Sequence, residues 1–229
     1  MALGNTEMIL SERRALREGE VEISERAFNL LIGGVLLWGF GLNYLTVALF
    51  GDRVVRMVYG MNPALFLIGY VALVLAGSAL ISRPGPALSF LGYNLIAVPI
   101  GLLLCVSLRG YYVDTIRSAA LMTAIITLSF MIAATLFPGF FLRLGRVLFF
   151  SLILLIAGGL IGIIFFRGTG MAYTWLGAGL FSMYIGYDWA RANTCARTVD
   201  NAIDLSASLY LDIINLFLRV LSIMSRRRD

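Results

Sequence analysis

Apolar blocks of about twenty residues recur along this chain, and each is closed by a short break rich in glycine, proline or arginine. About twenty apolar residues is the length an α-helix needs to cross a hydrocarbon core of roughly 30 Å. In that core every backbone N–H and C=O must be satisfied within the segment, so a lone block can take only a helical form. Seven spans follow, at 28–50, 63–82, 90–108, 115–137, 147–166, 171–189 and 205–224. The breaks between them include Gly51-Asp52-Arg53, Arg83-Pro84-Gly85-Pro86, Arg109-Gly110, Pro138-Gly139 and Arg167-Gly168-Thr169-Gly170. The fold class is therefore all-α, a polytopic membrane protein with seven transmembrane helices. Short connections predict antiparallel neighbours packed as one compact bundle over residues 27–229, with no second domain.

Composition agrees. Of 229 residues, 60% are apolar and 14% charged, whereas soluble domains carry about a quarter charged residues. The net charge of +5 does not point to nucleic acid, because the arginines lie in short loops and tails, where they meet lipid phosphates and set topology. The expected partners are the bilayer, ions and other membrane proteins. Histidine and lysine are both missing from the sequence. Without lysine there is no retinal Schiff base, and without histidine there is no imidazole for haem, zinc or a serine-type triad. No cofactor is expected, and a pH response near neutrality has to come mainly from carboxylates. Cys105 and Cys195 lack CxxC spacing; Cys105 reads as packing within a span and Cys195 as a loop thiol.

Residues 1–26 form a charged leader that does not resemble a secretory signal. The side holding the N-terminus takes nine arginines and the opposite side eight, or five without Arg226, Arg227 and Arg228. That favours a cytoplasmic N-terminus and seven full crossings.

Ionisable residues within spans are costly and mark function by default. Asp188 closes the sixth span and Asp212 lies seven residues into the seventh, both toward the side of the N-terminus, where the second span ends at Arg83. Two carboxylates and one guanidinium thus converge from three helices. Two carboxylates in contact at low dielectric cannot both ionise cheaply, so the pair shares a proton. The same oxygens suit a hard cation such as calcium, so proton sensing and cation passage draw on one set of residues. Plainer readings pair Asp188 with Arg191, and Asp212 with Asn215 or Arg219. Asp52, Asp114, Asp200 and Asp204 read as loop acids, Asp204 possessing the one plausible role at a mouth. Glycines in Gly158-Gly159-Leu160-Ile161-Gly162 and Gly177-Ala178-Gly179 read as close helix packing.

The segment Ser208-Leu209-Tyr210-Leu211-Asp212-Ile213-Ile214-Asn215-Leu216-Phe217-Leu218-Arg219 closely resembles the last helix of the Bax inhibitor-1 family, the transmembrane Bax-inhibitor-motif proteins. Phe181-Ser182-Met183-Tyr184 before Tyr187-Asp188 resembles that family's sixth helix. The resemblance covers residues 27–229 and implies six helices around a central seventh. It also implies a pH-sensitive calcium leak governed by a di-aspartyl pair on Asp188 and Asp212, with a latch arginine on the second helix that corresponds to Arg83. Here Arg83 abuts Pro84, a departure that repositions it. In eukaryotic members the role is suppression of cell death from an internal membrane. The short loops and arginine-only basic set point instead to a bacterial plasma (inner) membrane.

Two other function classes fit parts of this pattern. An intramembrane aspartyl protease also sets Tyr-Asp on one helix and Asp on the next, but Leu209-Tyr210-Leu211 stands where such enzymes carry Gly-x-Gly. A non-transporting regulator that binds other membrane proteins needs no ion path, and flux in liposomes separates it from a leak.

Overall fold

A computed structural model describes residues 21–166 and 168–225, and among these every regular element is an α-helix. Most of the charged leader, Arg167 and the Arg226–Arg228 tail lie outside the described residues. Helix α1 spans Glu25–Tyr59, α2 Pro63–Ile81, α3 Pro86–Ser107 and α4 Val113–Leu136. The six-residue α5 (Pro138–Arg143) is followed by α6 (Gly145–Phe166), α7 (Met171–Ala192) and α8 (Val199–Ser225). The seven long helices correspond one for one to the seven expected spans. Among the described residues, six of them are long and apolar enough to cross a membrane. The exception, α7, has 22 residues but is less apolar, since it carries Thr174, Ser182, three tyrosines and Asp188. Much of its surface is buried in protein, where polar side chains are tolerated.

Local chemistry sets the ends. The Ser24 hydroxyl accepts the Ala27 N–H at 3.2 Å to start α1, and the Asn62 side chain accepts the Ala64 N–H at 2.9 Å to start α2, with Pro63 in its first turn. Gly85, at φ 123, turns the chain into α3 through a conformation open to glycine. Pro138 stops α4, because it removes a donor and disfavours helical backbone before it.

Two helices overrun the expected breaks. Gly51-Asp52-Arg53 does not end α1, which runs 35 residues to Tyr59. A helical glycine costs about 1 kcal/mol relative to alanine, and the extra turns bury Val54 and Val55 against Cys105, Leu102 and Val106. That contact also bears out Cys105 as packing. Likewise α8 begins at Val199, six residues before the apolar span, so Asp200 and Asp204 are not loop acids. Both are buried on its first turns. Asp52 and Asp114 are helical too, though exposed.

The chain gathers into two compact units, residues up to Gly110 with Cys195–Ala207, and Tyr111–Thr194 with the chain from Ser208 onward. In the first unit α3 packs against both α1 and α2. Gly77 and Gly92 let α2 and α3 touch backbone to backbone: a Cβ on either would lie 2.6 Å from the other's carbonyl oxygen. Buried Tyr93 donates its hydroxyl to the Val35 carbonyl at 2.9 Å, tying α3 to α1. Ser89 donates to Asp200 Oδ1 at 2.7 Å, which secures the first turns of α8 within this unit. In the second unit α7 is the hub, packed against α4, α5 and α6.

Candidate functional site

The second unit holds Asp188 on α7 and Asp212 on α8. The helix carrying Asp188 is clamped on three sides at this level. One residue on, Trp189 donates its indole N–H to Thr135 Oγ1 of α4 at 2.9 Å. Two residues before, Gly186 lies against the Phe141 ring of α5, leaving no room for a Cβ. Between them Tyr187 reaches the start of α6, where a Cβ on Gly145 would be 2.9 Å from its hydroxyl oxygen. Phe141, Ala134 and Ala190 complete a buried apolar cluster below these contacts. Asp188 therefore sits on a tightly packed stretch, and α7 continues three residues past Trp189 to Ala192, nearly the turn that convergence of the aspartates requires.

Asp212 lies thirteen residues beyond the first residue of α8, roughly 20 Å along the axis. Around it Leu209, Tyr210 and Leu216 are wholly buried. Asp188 and Asp212 are 5% and 8% exposed, and each lies within electrostatic reach of the other. Tyr184, one turn before Asp188, is within electrostatic reach of both.

The cation on this pair is Arg191, one turn after Asp188 on α7, whose Nη1 donates to Asp188 Oδ1 at 2.9 Å. Its guanidinium carbon also lies 5.6 Å from the centroid of the Tyr187 ring. The plain pairing of Asp188 with Arg191 is thus present, but it is buried rather than solvated. The plain partners of Asp212 are engaged elsewhere. Asn215 donates to the Leu211 carbonyl at 2.8 Å, and Arg219 lies over Tyr173. Asp212 Oδ2 is left buried with no hydrogen-bond partner. Arg83 stands exposed in the turn after α2, in the first unit, with no ion pair among the described residues.

A count of charge says what this cluster can do. With both carboxylates ionised, two negative charges face one guanidinium, and the excess charge is buried and costly. One proton shared by the pair makes the cluster neutral. A bound cation makes the same correction. Among the described residues no three carboxylate or thiol side chains gather as a metal cage, so the pair offers at most four oxygens. Calcium takes six to eight oxygens, so an ion here would keep part of its hydration.

The buried acids Asp200 and Asp204 escaped the sequence reading, although the signal was there: Asp200, Asp204, Ser208 and Asp212 recur every fourth residue and share one side of a helix.

The sequence matches the family described as Inhibitor of apoptosis-promoting Bax1 over residues 22–229. Two proteins of Helicobacter pylori, from strains 26695 and J99 and both named only as uncharacterized, are 35% identical to it over 85 residues. That stretch is 36% of this chain and 35% of each relative, so the match spans about a third of their length. The family match takes in the carboxyl pair and nearly all of the chain, and on that ground this protein belongs to the Bax inhibitor-1 family.

Proposed function

We propose that this protein is a pH-sensitive cation leak of a cellular membrane, with calcium as the ion carried and the Asp188–Asp212 pair as its gate. The observation that carries this reading is Asp212 Oδ2, a buried carboxyl oxygen without a hydrogen-bond partner inside a membrane helix. Such a group costs stability. An apolar residue of similar volume would serve packing better, so its retention points to a task that needs a carboxylate.

In the closed state ionised Asp188 holds Arg191, and the proton shared with Asp212 leaves the cluster neutral. Acidification adds a proton to Asp188, breaks its ion pair with Arg191 and frees this end of α7. The same proton removes the pair's last negative charge and with it the attraction for a cation, so opening and attraction oppose each other as the protonated fraction grows. Flux therefore peaks at intermediate pH. Family resemblance gives the latch to Arg83; this geometry gives it to Arg191, and single variants of the two separate the proposals. We further infer a bacterial inner membrane, from the short loops and arginine-only basic set, with the N-terminus in the cytoplasm, from the arginine distribution over the loops.

The test is calcium flux into proteoliposomes of the purified protein across pH 5 to 8, with Asp212→Asn beside the wild type. Flux that varies with pH in the wild type and not in the variant supports the leak. No flux at any pH overturns it and leaves a regulator of other membrane proteins as the better reading.

A further inference from the structure

Arg219 has no part in the carboxyl pair, yet the second unit is built closely around it. It is half-buried on α8, seven residues and so two turns beyond Asp212 on the same side of the helix, roughly 10 Å along the axis. No carboxylate among the described residues pairs with it. Its guanidinium carbon lies 4.7 Å from the centroid of the Tyr173 ring, and Nη2 donates to the Tyr173 hydroxyl at 3.5 Å. That hydroxyl donates in turn to the Leu155 carbonyl of α6 at 2.9 Å. Two glycines make the room. A Cβ on Gly177 would be 2.9 Å from Arg219 Nε, and one on Gly159 would be 2.5 Å from the Tyr173 hydroxyl oxygen.

Tyr173 belongs to the first turn of α7 and Asp188 to its last turns. Along the paired helices the carboxyl pair is therefore flanked by a guanidinium on each side, Arg191 toward the end of α7 and Arg219 toward its beginning. Along the helix axis, Asp212 thus has a positive charge in either direction.

We propose that Arg219, seated on Tyr173, is a second charge barrier in the cation path, which limits the leak and sets its discrimination between divalent and monovalent ions. This rests on the leak reading above. A full positive charge in a membrane helix is retained at a cost, and the cation–π contact with Tyr173 offsets part of that cost while holding the charge in one place. Because a barrier of one charge acts twice as strongly on a divalent ion as on a monovalent one, its removal has a signature that mere loosening of the helices lacks.

The experiment measures calcium and potassium flux in proteoliposomes of the full chain for Arg219→Gln, Arg219→Lys and Tyr173→Leu. Arg219→Gln is expected to raise potassium flux about threefold and calcium flux about ninefold, the square of the first factor. The pH dependence set by Asp212 should remain. Arg219→Lys, which keeps the charge, should stay near the wild-type calcium-to-potassium ratio. Tyr173→Leu frees the guanidinium from its seat and should raise the ratio in the same direction, so the reading stands even if Arg219→Gln does not fold. If the wild type leaks with pH dependence but neither Arg219→Gln nor Tyr173→Leu changes the ratio, this inference falls and the leak survives. If the wild type carries no ion at all, both fall.

Discussion

Gly186 lies so close beneath the ring of Phe141 that a Cβ on the glycine would collide with it, and Asp188 leaves the same helix two residues later. The position of one carboxyl is thus fixed by a helix contact in which it takes no part. Gly186→Ala should lower stability by about 1–3 kcal/mol, the usual cost of an overpacked interior. It should also blunt the pH response by displacing Asp188 from Asp212. Thermal unfolding in detergent, followed by flux against pH, checks both. A variant with wild-type melting and wild-type pH response would show that α5 does not position the pair.

Asp212 offers a test that separates stability from the proposed function. Its Oδ2 is buried without a hydrogen-bond partner, and a buried polar atom left in that state costs about 1–3 kcal/mol. Asp212→Leu replaces it with an apolar side chain of similar size, and is expected to melt no lower than the wild type while losing pH-dependent flux. A large drop in melting temperature would mean that the carboxyl is structural.

Arg191 and Arg83 are the two candidates for the proposed latch, and their variants should differ. Asp188 Oδ1 accepts from Arg191 Nη1 at 2.9 Å. Arg191→Gln removes this cation and leaves a buried carboxylate uncompensated, a loss of about 3–5 kcal/mol where the charge persists. The protein can escape that cost by binding a proton or a cation, so the variant should leak at neutral pH and lose much of its pH dependence. Arg83→Gln should change neither property by more than a factor of about two if Arg191 alone is the latch. Flux at pH 7 and pH 6 for the two variants decides, and a leak opened by Arg83→Gln returns the latch to α2.

Most of the fold was legible because membrane helices are announced by length and apolarity, and all seven spans have a helix behind them. The boundaries were harder. Gly51-Asp52-Arg53 looked like a break, but no proline stands there, and burial of Val54 and Val55 against Cys105 sustains the helix. For α8 the apolar window starts at Leu205, so Asp200 and Asp204 fell outside it, and the hydrogen bond from Ser89 to Asp200 is a tertiary contact that no local pattern announces. The glycine runs do mark close packing, but not position by position. Gly159 and Gly177 face Tyr173 and Arg219, whereas Gly179 has nothing near it. Nor did the sequence say which guanidinium meets Asp188, since helical spacing favours Arg191 and resemblance favours Arg83.

Helix α2 allows a paired test of what a glycine does in this fold. Gly69 has open space where a Cβ would go, and eight residues later Gly77 has the Gly92 carbonyl oxygen at 2.6 Å and an Ile96 side-chain carbon at 2.8 Å. Gly69→Ala gains helix propensity at no steric cost and should stabilise the protein by roughly 0.5–1 kcal/mol. Gly77→Ala meets backbone, which cannot rotate away, so α2 and α3 must separate at the cost of the dispersion contacts between them. It should destabilise by about 1–3 kcal/mol or more. Both positions lie outside the unit that carries the carboxyl pair, so the pH at which flux peaks should be unmoved in each folded variant. Melting curves of the two proteins in one detergent give the sign of each effect, and equal melting would show that the close contact of α2 with α3 does not hold in the membrane protein.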